Sequence, residues 1–306
     1  MLSNVGNRLK TVLKVEGING VVRRLFPPFF VTNSDLRIIQ RNIVTKKKIL
    51  KANRSLLASI DGNVSFEDTN QTSVIWFAWL QGLENAPELV KICCKQLQLS
   101  YPEKKVIVIT NDNYSKYVNL PQYIINKWEK GIITNAHFSD LLRLELLINH
   151  GGTWIDSTVM CNPKLKDDLY FKSSLFFYSS FLRNDSTMAG SSWFITSAPN
   201  NPVLILTRKL LFNYWEHANH LENYFIFHVC FSISLTKYSQ IMNQVPIFSN
   251  VPAHILVTML NDNYNDEKFN QVFDQSAFHK LSNKIELRQS KKSLTMYEFI
   301  KLQLGA

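Results

Sequence analysis

The feature that most restricts the fold of this chain is a pair of short apolar segments separated by a helical one. Residues 74–79, Val-Ile-Trp-Phe-Ala-Trp, and residues 106–109, Val-Ile-Val-Ile, are rich in β-branched and aromatic side chains, which is typical of buried strands. Between them, Asn85 and Pro87 can begin a helix whose apolar positions recur at helical spacing. A strand, a helix and a second strand in this order pair their strands in parallel. The segment therefore predicts an α/β domain.

The alternation continues along the chain. Residues 121–130 and 138–150 have helical periodicity and are each followed by glycine, and residues 153–156 have the pattern of a further buried strand. Further strands are predicted at 175–178 and 193–196, and further helices at 202–217, 224–238 and 253–260. In an open α/β sheet, ligands bind beyond the carboxyl ends of the parallel strands. Those ends, and hence the candidate site, are predicted at residues 79–81, 110–112 and 156.

Composition excludes several classes of protein. With 45% hydrophobic and 19% charged residues, the chain is too apolar to be disordered as a whole. Its longest apolar stretches, such as residues 25–31 and 224–235, are shorter than the roughly 20 residues of a spanning helix. Charged residues throughout the first 30 positions leave no apolar core for a secretion signal. The four cysteines show no Cys-x-x-Cys spacing, so we expect a reducing, cytoplasmic location and no zinc site.

The positive charge is confined to one end of the chain. Residues 1–54 contain 12 Lys and Arg against two acidic residues, whereas residues 55–306 contain 22 of each sign. We therefore predict a basic amphipathic helical extension over residues 1–70, ahead of a domain over residues 71–306, and an anionic membrane surface as the partner of residues 1–54. The alternative is that these helices pack on the main domain with their charges in solvent. Nucleic acid is not an expected partner, because no reader motif is present.

Two adjoining motifs contain the densest group of polar residues. Residues 139–143, Ser-Asp-Leu-Leu-Arg, lie in a leucine-rich helix with Asp140 and Arg143 on one face. Residues 151–158, Gly-Gly-Thr-Trp-Ile-Asp-Ser-Thr, run through the next predicted strand. Each part has an ordinary explanation. Asp140 and Arg143 could form a surface ion pair, the Gly-Gly pair could end the helix, and Asp156 could be a turn residue. The motifs alone are therefore weak evidence of a site.

The whole ordered string resembles the sugar-transferring enzymes of capsular polysaccharide synthesis in glycosyltransferase family 32. The resemblance is clearest over residues 139–156 and extends, more faintly, from residue 72 to residue 285. Matching blocks stand at residues 75–82, 86–90, 117–121, 130–132, 193–195, 214–215 and 279–281. The resemblance implies a GT-A (Rossmann-like) nucleotide-sugar-binding domain with a mixed sheet. It also implies a nucleotide-diphosphate sugar as donor, Mn²⁺ or Mg²⁺ as cofactor, and transfer with retention of anomeric configuration.

The resemblance also implies a metal site at the end of the third predicted strand. In relatives this strand end reads Asp-x-Asp, whereas here it reads Asp156-Ser157-Thr158, so one carboxylate is absent. Asp156 is expected to act in catalysis and as the first metal ligand, with Thr158 and His279 completing the set. A phosphate contact or a structural role is the alternative for His279. Asp185, in a polar loop, is the second catalytic candidate.

Seven residues are expected to bind the nucleotide sugar: Trp76, Trp79, Gln81, Asp140, Arg143, Gly152 and Lys280. The two tryptophans are expected on one face of their strand, where one would stack on the base, with burial in the core as the alternative. Asp140 would accept a hydrogen bond from a ribose or sugar hydroxyl, and Arg143 would pair with it or with phosphate. Lys284 is a further phosphate candidate.

These expectations combine into one functional hypothesis. The chain is expected to be a metal-dependent, retaining glycosyltransferase that moves a sugar, with UDP-hexose as the expected donor, to a lipid-linked oligosaccharide in capsular or exopolysaccharide synthesis. It is expected to be peripheral on the inner face of the cell membrane. A non-catalytic nucleotide-sugar-binding or scaffold protein with the same fold is the alternative. Kinase, dehydrogenase and serine-hydrolase classes are excluded, because their glycine-rich or Gly-x-Ser-x-Gly motifs do not occur.

Overall fold

A five-stranded mixed sheet forms the centre of the computed structural model, which describes residues 34–66, 68–180, 187–288 and 293–304. Its strands are β1 (Val74–Ala78), β2 (Lys105–Ile109), β3 (Gly152–Ile155), β5 (Leu175–Ser179) and β6 (Gly190–Ser197), in the order β2-β1-β3-β6-β5. Strand β1 pairs in parallel with both β2 and β3, whereas β6 runs antiparallel to β3 and β5. The predicted crossover and the predicted α/β fold class with a mixed sheet are confirmed. The architecture is consistent with a GT-A-like domain.

Helices cover both faces of the sheet. They are α1 (Ser34–Ala52), α2 (Arg54–Ser59), α3 (Glu88–Ser100), α4 (Gln122–Glu129), α5 (Asn135–His150), α6 (Leu169–Lys172), α7 (Pro202–His217), α8 (Ile226–Lys237), α9 (Ser239–Gln244), α10 (Ile255–Thr258), α11 (Asp266–Phe273) and α12 (Met296–Leu304). The side chain of Thr134 caps the amino end of α5, and Gly151 follows its last residue with a positive φ of 66°, as expected of a helix stop.

Alternating side chains of the sheet belong to two separate apolar clusters. Trp76 of β1 packs with the buried faces of α5, α7 and α8, whereas its neighbour Phe77 packs on the opposite face with residues of α3. This separation follows from the two-residue period of a strand. Helix α8 is buried around nearly its whole circumference, because it is apolar on all sides and lies between the sheet and its neighbouring helices.

Helix α1 is attached to the main body through buried amide groups. Asn223 donates from Nδ2 to Asn42 Oδ1 at 2.9 Å and to Thr45 Oγ1 at 3.0 Å, and Asn213 Nδ2 donates to Asn53 Oδ1 at 2.9 Å. The helix thus packs on the domain with part of its polar face. Residues 1–33, which hold the first predicted basic helix, lie outside the described residues, and the boundary predicted near residue 70 stays a prediction.

A second, two-stranded sheet brings a distant segment to the end of β3. Strand β4 (Val159–Cys161) pairs antiparallel with β7 (Phe278–Lys280), with Val159 opposite Lys280. Because β4 begins three residues after Asp156, this pairing places Lys280 beside the end of β3. Within the described ranges, no helix has the length and apolar character needed to cross a membrane.

Candidate active site

A cleft of about 440 Å³ lies at the edge of the sheet where β1 and β3 end, within the size range of ligand pockets. Residues 78–81 at the end of β1 form one wall, the first half of α5 forms another, and residues 156–158 form the floor. The carboxyl ends of β1 and β3 meet at one edge because the two strands are parallel. The cleft therefore lies at two of the three predicted strand ends, whereas residues 110–112, which follow β2, are not among the residues that line it.

Arg143 connects two carboxylates in this cleft. Its Nη1 donates to Asp140 Oδ1, and its Nη2 donates to Asp156 Oδ1 at 3.1 Å. The guanidinium also lies over the rings of Trp154 and Phe227, at 4.7 and 5.2 Å from their centroids. Arg143 is only 2% exposed, and a planar guanidinium suits such a buried, two-sided contact. Its position fixes the distance between α5 and the end of β3.

Asp156 is held as a carboxylate by three donors. Its Oδ1 accepts from Trp154 Nε1 at 2.8 Å and from Arg143, and its Oδ2 lies 2.9 Å from Lys280 Nζ. Burial alone would raise its pKa, but the charges of Lys280 and Arg143 and these hydrogen bonds outweigh burial and lower the pKa to about 2. Asp156 is therefore fully ionised at neutral pH.

Thr158 stands where the expected Asp-x-Asp motif would have its second aspartate. Its Oγ1 accepts from Lys280 Nζ at 2.8 Å, so a single ammonium group joins both ends of the Asp156-Ser157-Thr158 turn. Lys284 also lines the cleft. Among the described lining residues, Arg143, Lys280 and Lys284 thus face two carboxylates, which leaves an excess of positive charge for an anionic ligand.

Two histidines of the cleft are neutral at neutral pH. Burial is the largest cause in each case: it lowers the pKa of His137, and it lowers the pKa of His228 to about 4 although Asp140 opposes the shift. His137 Nδ1 lies 3.4 Å from Asp140 Oδ2. In the described part of the chain, His137 Nε2, His228 Nδ1 and Trp79 Nε1 are buried without a hydrogen-bond partner. Unpaired buried polar atoms at a cleft suit a polar ligand.

Seven of the predicted site residues line this one cleft: Trp79, Gln81, Asp140, Arg143, Asp156, Thr158 and Lys280. They lie on four separate segments of the sequence, and the fold brings these segments together. The other phosphate candidate, Lys284, lies with them. Asp185 lies outside the described residues, so its catalytic role stays a prediction.

Trp76 does not lie in the cleft. The expectation that Trp76 and Trp79 share a face of the strand was wrong, because side chains three positions apart on a strand point to opposite faces. Trp76 is buried, contacts Tyr117 and His150, and donates from Nε1 to the carbonyl oxygen of Gly151 at 2.8 Å. It packs in the core, away from any bound nucleotide.

Gly152 also lies away from the cleft. It is the first residue of β3, at the opposite end of that strand from Asp156. Its φ is +97°, and a Cβ atom there would lie 2.7 Å from the carbonyl oxygen of Val74. Glycine is required at this position by the backbone conformation and by the close approach of β1, which explains the residue without a ligand.

His279 faces away from the cleft, because it alternates with Lys280 on β7. Its side chain is fully buried, stacks on Phe273 and contacts the carbonyl oxygen of Phe273 through Nε2 at 3.0 Å. The predicted metal set of Asp156, Thr158 and His279 is therefore not brought together.

The described residues do not fit the expected Mn²⁺ or Mg²⁺ ion. Both oxygens of Asp156 already accept from donors that include two cations, and Thr158 provides no charge. Nowhere in the described ranges do three His, Cys, Asp or Glu side chains gather as a metal site would require. Hard divalent cations need several oxygen ligands that are not already neutralised by cationic side chains.

Four residues of the cleft were missed from the sequence: His137, Trp154, Tyr224 and His228. For two of them the sequence spacing could have predicted a place in the site. His137 lies three positions before Asp140, on the same helical face, and Trp154 lies two positions before Asp156, on the same face of the strand. Tyr224 and His228 lie on a segment that is adjacent to the cleft only in the folded chain, so no local pattern identifies them.

Comparison with known proteins gives a family but no curated relative. A solved structure described as "PaToxG Glycosyltransferase" superposes with a TM-score of 0.40 and 15% sequence identity, covering 66% of this chain and 83% of that one. A search of curated proteins found no match. A family model described as "Capsular polysaccharide synthesis protein" matches residues 29–300, so the family similarity begins ahead of residue 72 and includes the whole of α1. The chain belongs to the capsular polysaccharide synthesis protein family.

Proposed function

We propose that the protein is a retaining glycosyltransferase, related to family 32, that transfers a sugar from a nucleotide-diphosphate donor to a growing polysaccharide. One observation carries the proposal. Asp140, Arg143, Asp156 and Lys280 form a continuous array of charges at the carboxyl edge of the sheet. This array offers carboxylates for sugar or ribose hydroxyls beside cations for a diphosphate. Membership of the capsular polysaccharide family supports the same class of reaction.

Each side of the cleft suits one part of such a donor. Lys280 and Lys284 are the groups that would contact the phosphates, since a lysine ammonium is a compact point charge with three donors. Asp140 and Asp156 would accept hydrogen bonds from hydroxyl groups, because a carboxylate beside Arg143 has further lone pairs to offer. Trp79 lies partly exposed in the cleft wall and has an unpaired Nε1, which makes it the candidate for stacking on the base. UDP is the expected nucleotide.

The array also suits a transfer on one face of the sugar. The bond between the anomeric carbon and the diphosphate oxygen breaks, and its electron pair goes to that oxygen. The acceptor oxygen forms the new bond to the anomeric carbon, and its proton passes to the departing phosphate. Such a step needs charge stabilisation and positioning rather than a dedicated base. Asp140 and Asp156 would position the sugar, because Arg143 fixes both of them.

A lipid-linked oligosaccharide at an anionic membrane surface is the acceptor that we propose. The basic residues 1–54 would hold the protein at that surface. Within the described part of this segment, Lys47 and Lys51 are exposed on α1, whereas Lys48 pairs with Glu222 at 2.6 Å. The exposed lysines are therefore free of the contacts that attach α1 to the domain.

The competing proposal is a nucleotide-sugar-binding scaffold without turnover. It is favoured by one observation, the replacement of a family carboxylate by Thr158. Turnover separates the two proposals, since a scaffold would bind the donor and leave it intact.

A panel of nucleotide sugars tests the proposed function. We expect one of UDP-glucose, UDP-galactose, UDP-N-acetylglucosamine or GDP-mannose to raise the thermal unfolding temperature of the wild-type protein and to be slowly hydrolysed, because ligand binding to the folded state stabilises it. Thermal shift and chromatography of released nucleoside diphosphate are the measurements. Stabilisation without hydrolysis, even with added acceptor lipid, would favour the scaffold. No stabilisation by any donor would contradict both proposals.

Vesicle binding tests the membrane proposal separately. The double variant Lys47→Gln/Lys51→Gln is expected to bind vesicles containing phosphatidylserine roughly 10–30-fold more weakly than wild type, because each basic residue near such a surface contributes about 1 kcal/mol. The matched control is Lys164→Gln/Lys268→Gln, which removes the same charge from exposed lysines elsewhere in the domain. An equal loss of vesicle affinity in both double variants would show that the attraction is non-specific. It would contradict the proposal that α1 binds the membrane.

A further inference from the structure

Lys280 occupies the place where the resemblance expects a divalent cation. We propose that its ammonium group takes over the charge-neutralising role of that ion, so that the protein binds a nucleoside diphosphate without metal. This inference rests on the proposed function, because it concerns the leaving group of the same donor. It also accounts for the misfit between the described residues and a metal site.

The contacts of Lys280 place a positive charge at the centre of the turn. Its Nζ lies 2.9 Å from Asp156 Oδ2 and 2.8 Å from Thr158 Oγ1, the two positions where the resemblance implies carboxylates. A lysine ammonium has three N–H donors. Two are used by these acceptors, which leaves one for a phosphate oxygen in the cleft that Lys280 lines. The side chain is 23% exposed, so a ligand can reach it.

A divalent ion would have to compete with charges that are already present. Asp156 is shared between Lys280 and the buried Arg143, and a cation bound to the same carboxylate would lie close to both. The repulsion between like charges at such distances is strong when they are partly removed from water. Thr158 offers only a hydroxyl in return. The ammonium of Lys280, which donates to the Thr158 hydroxyl and pairs with Asp156, therefore supplies the positive charge at this turn.

The position of Lys280 is fixed by strand pairing and by its neighbour. Lys280 pairs with Val159 across β4 and β7, and Leu281 donates from its backbone nitrogen to the carbonyl oxygen of Thr158 at 2.8 Å. His279, which faces the opposite side, is buried against Phe273. These contacts hold the lysine without any ligand, and a charge held in place in advance is what stabilises a developing anion well.

Isothermal titration with nucleoside diphosphates tests the inference. UDP, GDP, ADP, CDP and dTDP would each be titrated into the full-length wild-type protein with EDTA and, separately, with MnCl₂. We expect the Kd of the preferred diphosphate to differ by less than about twofold between the two conditions. Lys280→Met should raise this Kd about tenfold or more, because a hydrogen bond to a charged group is lost. Lys280→Arg should raise the Kd less, because the positive charge is kept. Lys268 is an exposed lysine on α11, and Lys268→Met should leave the Kd unchanged.

The outcomes separate this inference from the proposed function. Binding that requires Mn²⁺ would overturn the role of Lys280 and leave the proposed function intact. Absence of binding by all five diphosphates in both conditions would overturn both. A Lys280→Met variant with the wild-type thermal unfolding temperature and wild-type Kd would also overturn the inference. Titration of the matching nucleoside monophosphate gives a further readout, since Lys280→Met should narrow the difference in Kd between diphosphate and monophosphate.

Discussion

Arg143→Met is expected to lower the melting temperature by roughly 5–15 °C and to abolish donor turnover. The reason is that Arg143 is 2% exposed and is the cation shared by Asp140 and Asp156. Removing it leaves Asp140 with His137, whose pKa is lowered chiefly by burial, and leaves Asp156 with Lys280 as its cation and with the hydrogen bond from Trp154. Loss of one partner from a buried ionic group costs about 3–5 kcal/mol. Differential scanning calorimetry and a donor-hydrolysis assay measure the two effects.

The matched control is Arg208→Met, which breaks another buried contact of α5. Arg208 Nη1 lies 3.0 Å from Glu145 Oε1, two positions along α5 from Arg143 but outside the residues that line the cleft. We expect this variant to lose stability and to keep donor turnover. The double variant Arg143→Met/Asp140→Asn should recover part of the lost stability, because one unpaired carboxylate is removed. An Arg143→Met variant with wild-type stability would contradict the shared-cation arrangement.

The sequence predicted the sheet edge at which the cleft forms, because the relevant signals are local. The apolar runs and the helix between them fixed a parallel crossover, and parallel strands must end at the same edge. The family resemblance grouped Asp140, Arg143 and Asp156 in one site, and the structure places them in contact. Local patterns could not identify Lys280, the partner of Asp156 from a distant part of the chain.

Two errors have the same physical origin, the two-residue period of a strand. Trp76 was grouped with Trp79 although an odd separation places them on opposite faces. His279 was expected at the metal although its neighbour Lys280 is the residue that faces the cleft. Strands β4 and β7 have only three residues each, too few for a periodic signal. Their pairing joins residues about 120 positions apart, and only the folded chain shows which side of β7 meets Asp156.

The second large effect is expected from Asp156→Asn, which should reduce donor turnover by about 10²–10³-fold, the size found when one preorganised polar group at a reacting centre is removed. The neutral amide keeps the shape of the side chain but loses the charge that positions Lys280 and Arg143. Arg143 keeps Asp140, and Lys280 is partly exposed, so we expect a smaller loss of stability than in Arg143→Met. Steady-state kinetics and calorimetry on the same samples separate the two quantities.

The pH dependence of stability gives an independent check on Asp156. Its pKa is about 2 in the folded protein against an ordinary value of 3.8, so its stabilising contribution is fully present above pH 3.8 and is lost as the pH falls towards 2. The difference in free energy of unfolding between wild type and Asp156→Asn should therefore be largest above pH 3.8 and should narrow below it. Asp168→Asn, an exposed carboxylate paired with Lys172, is the control and should leave turnover unchanged. A difference that stays constant across this range would show that Asp156 is not held ionised by Arg143 and Lys280, and the charge array proposed to bind the donor would then lack its central member.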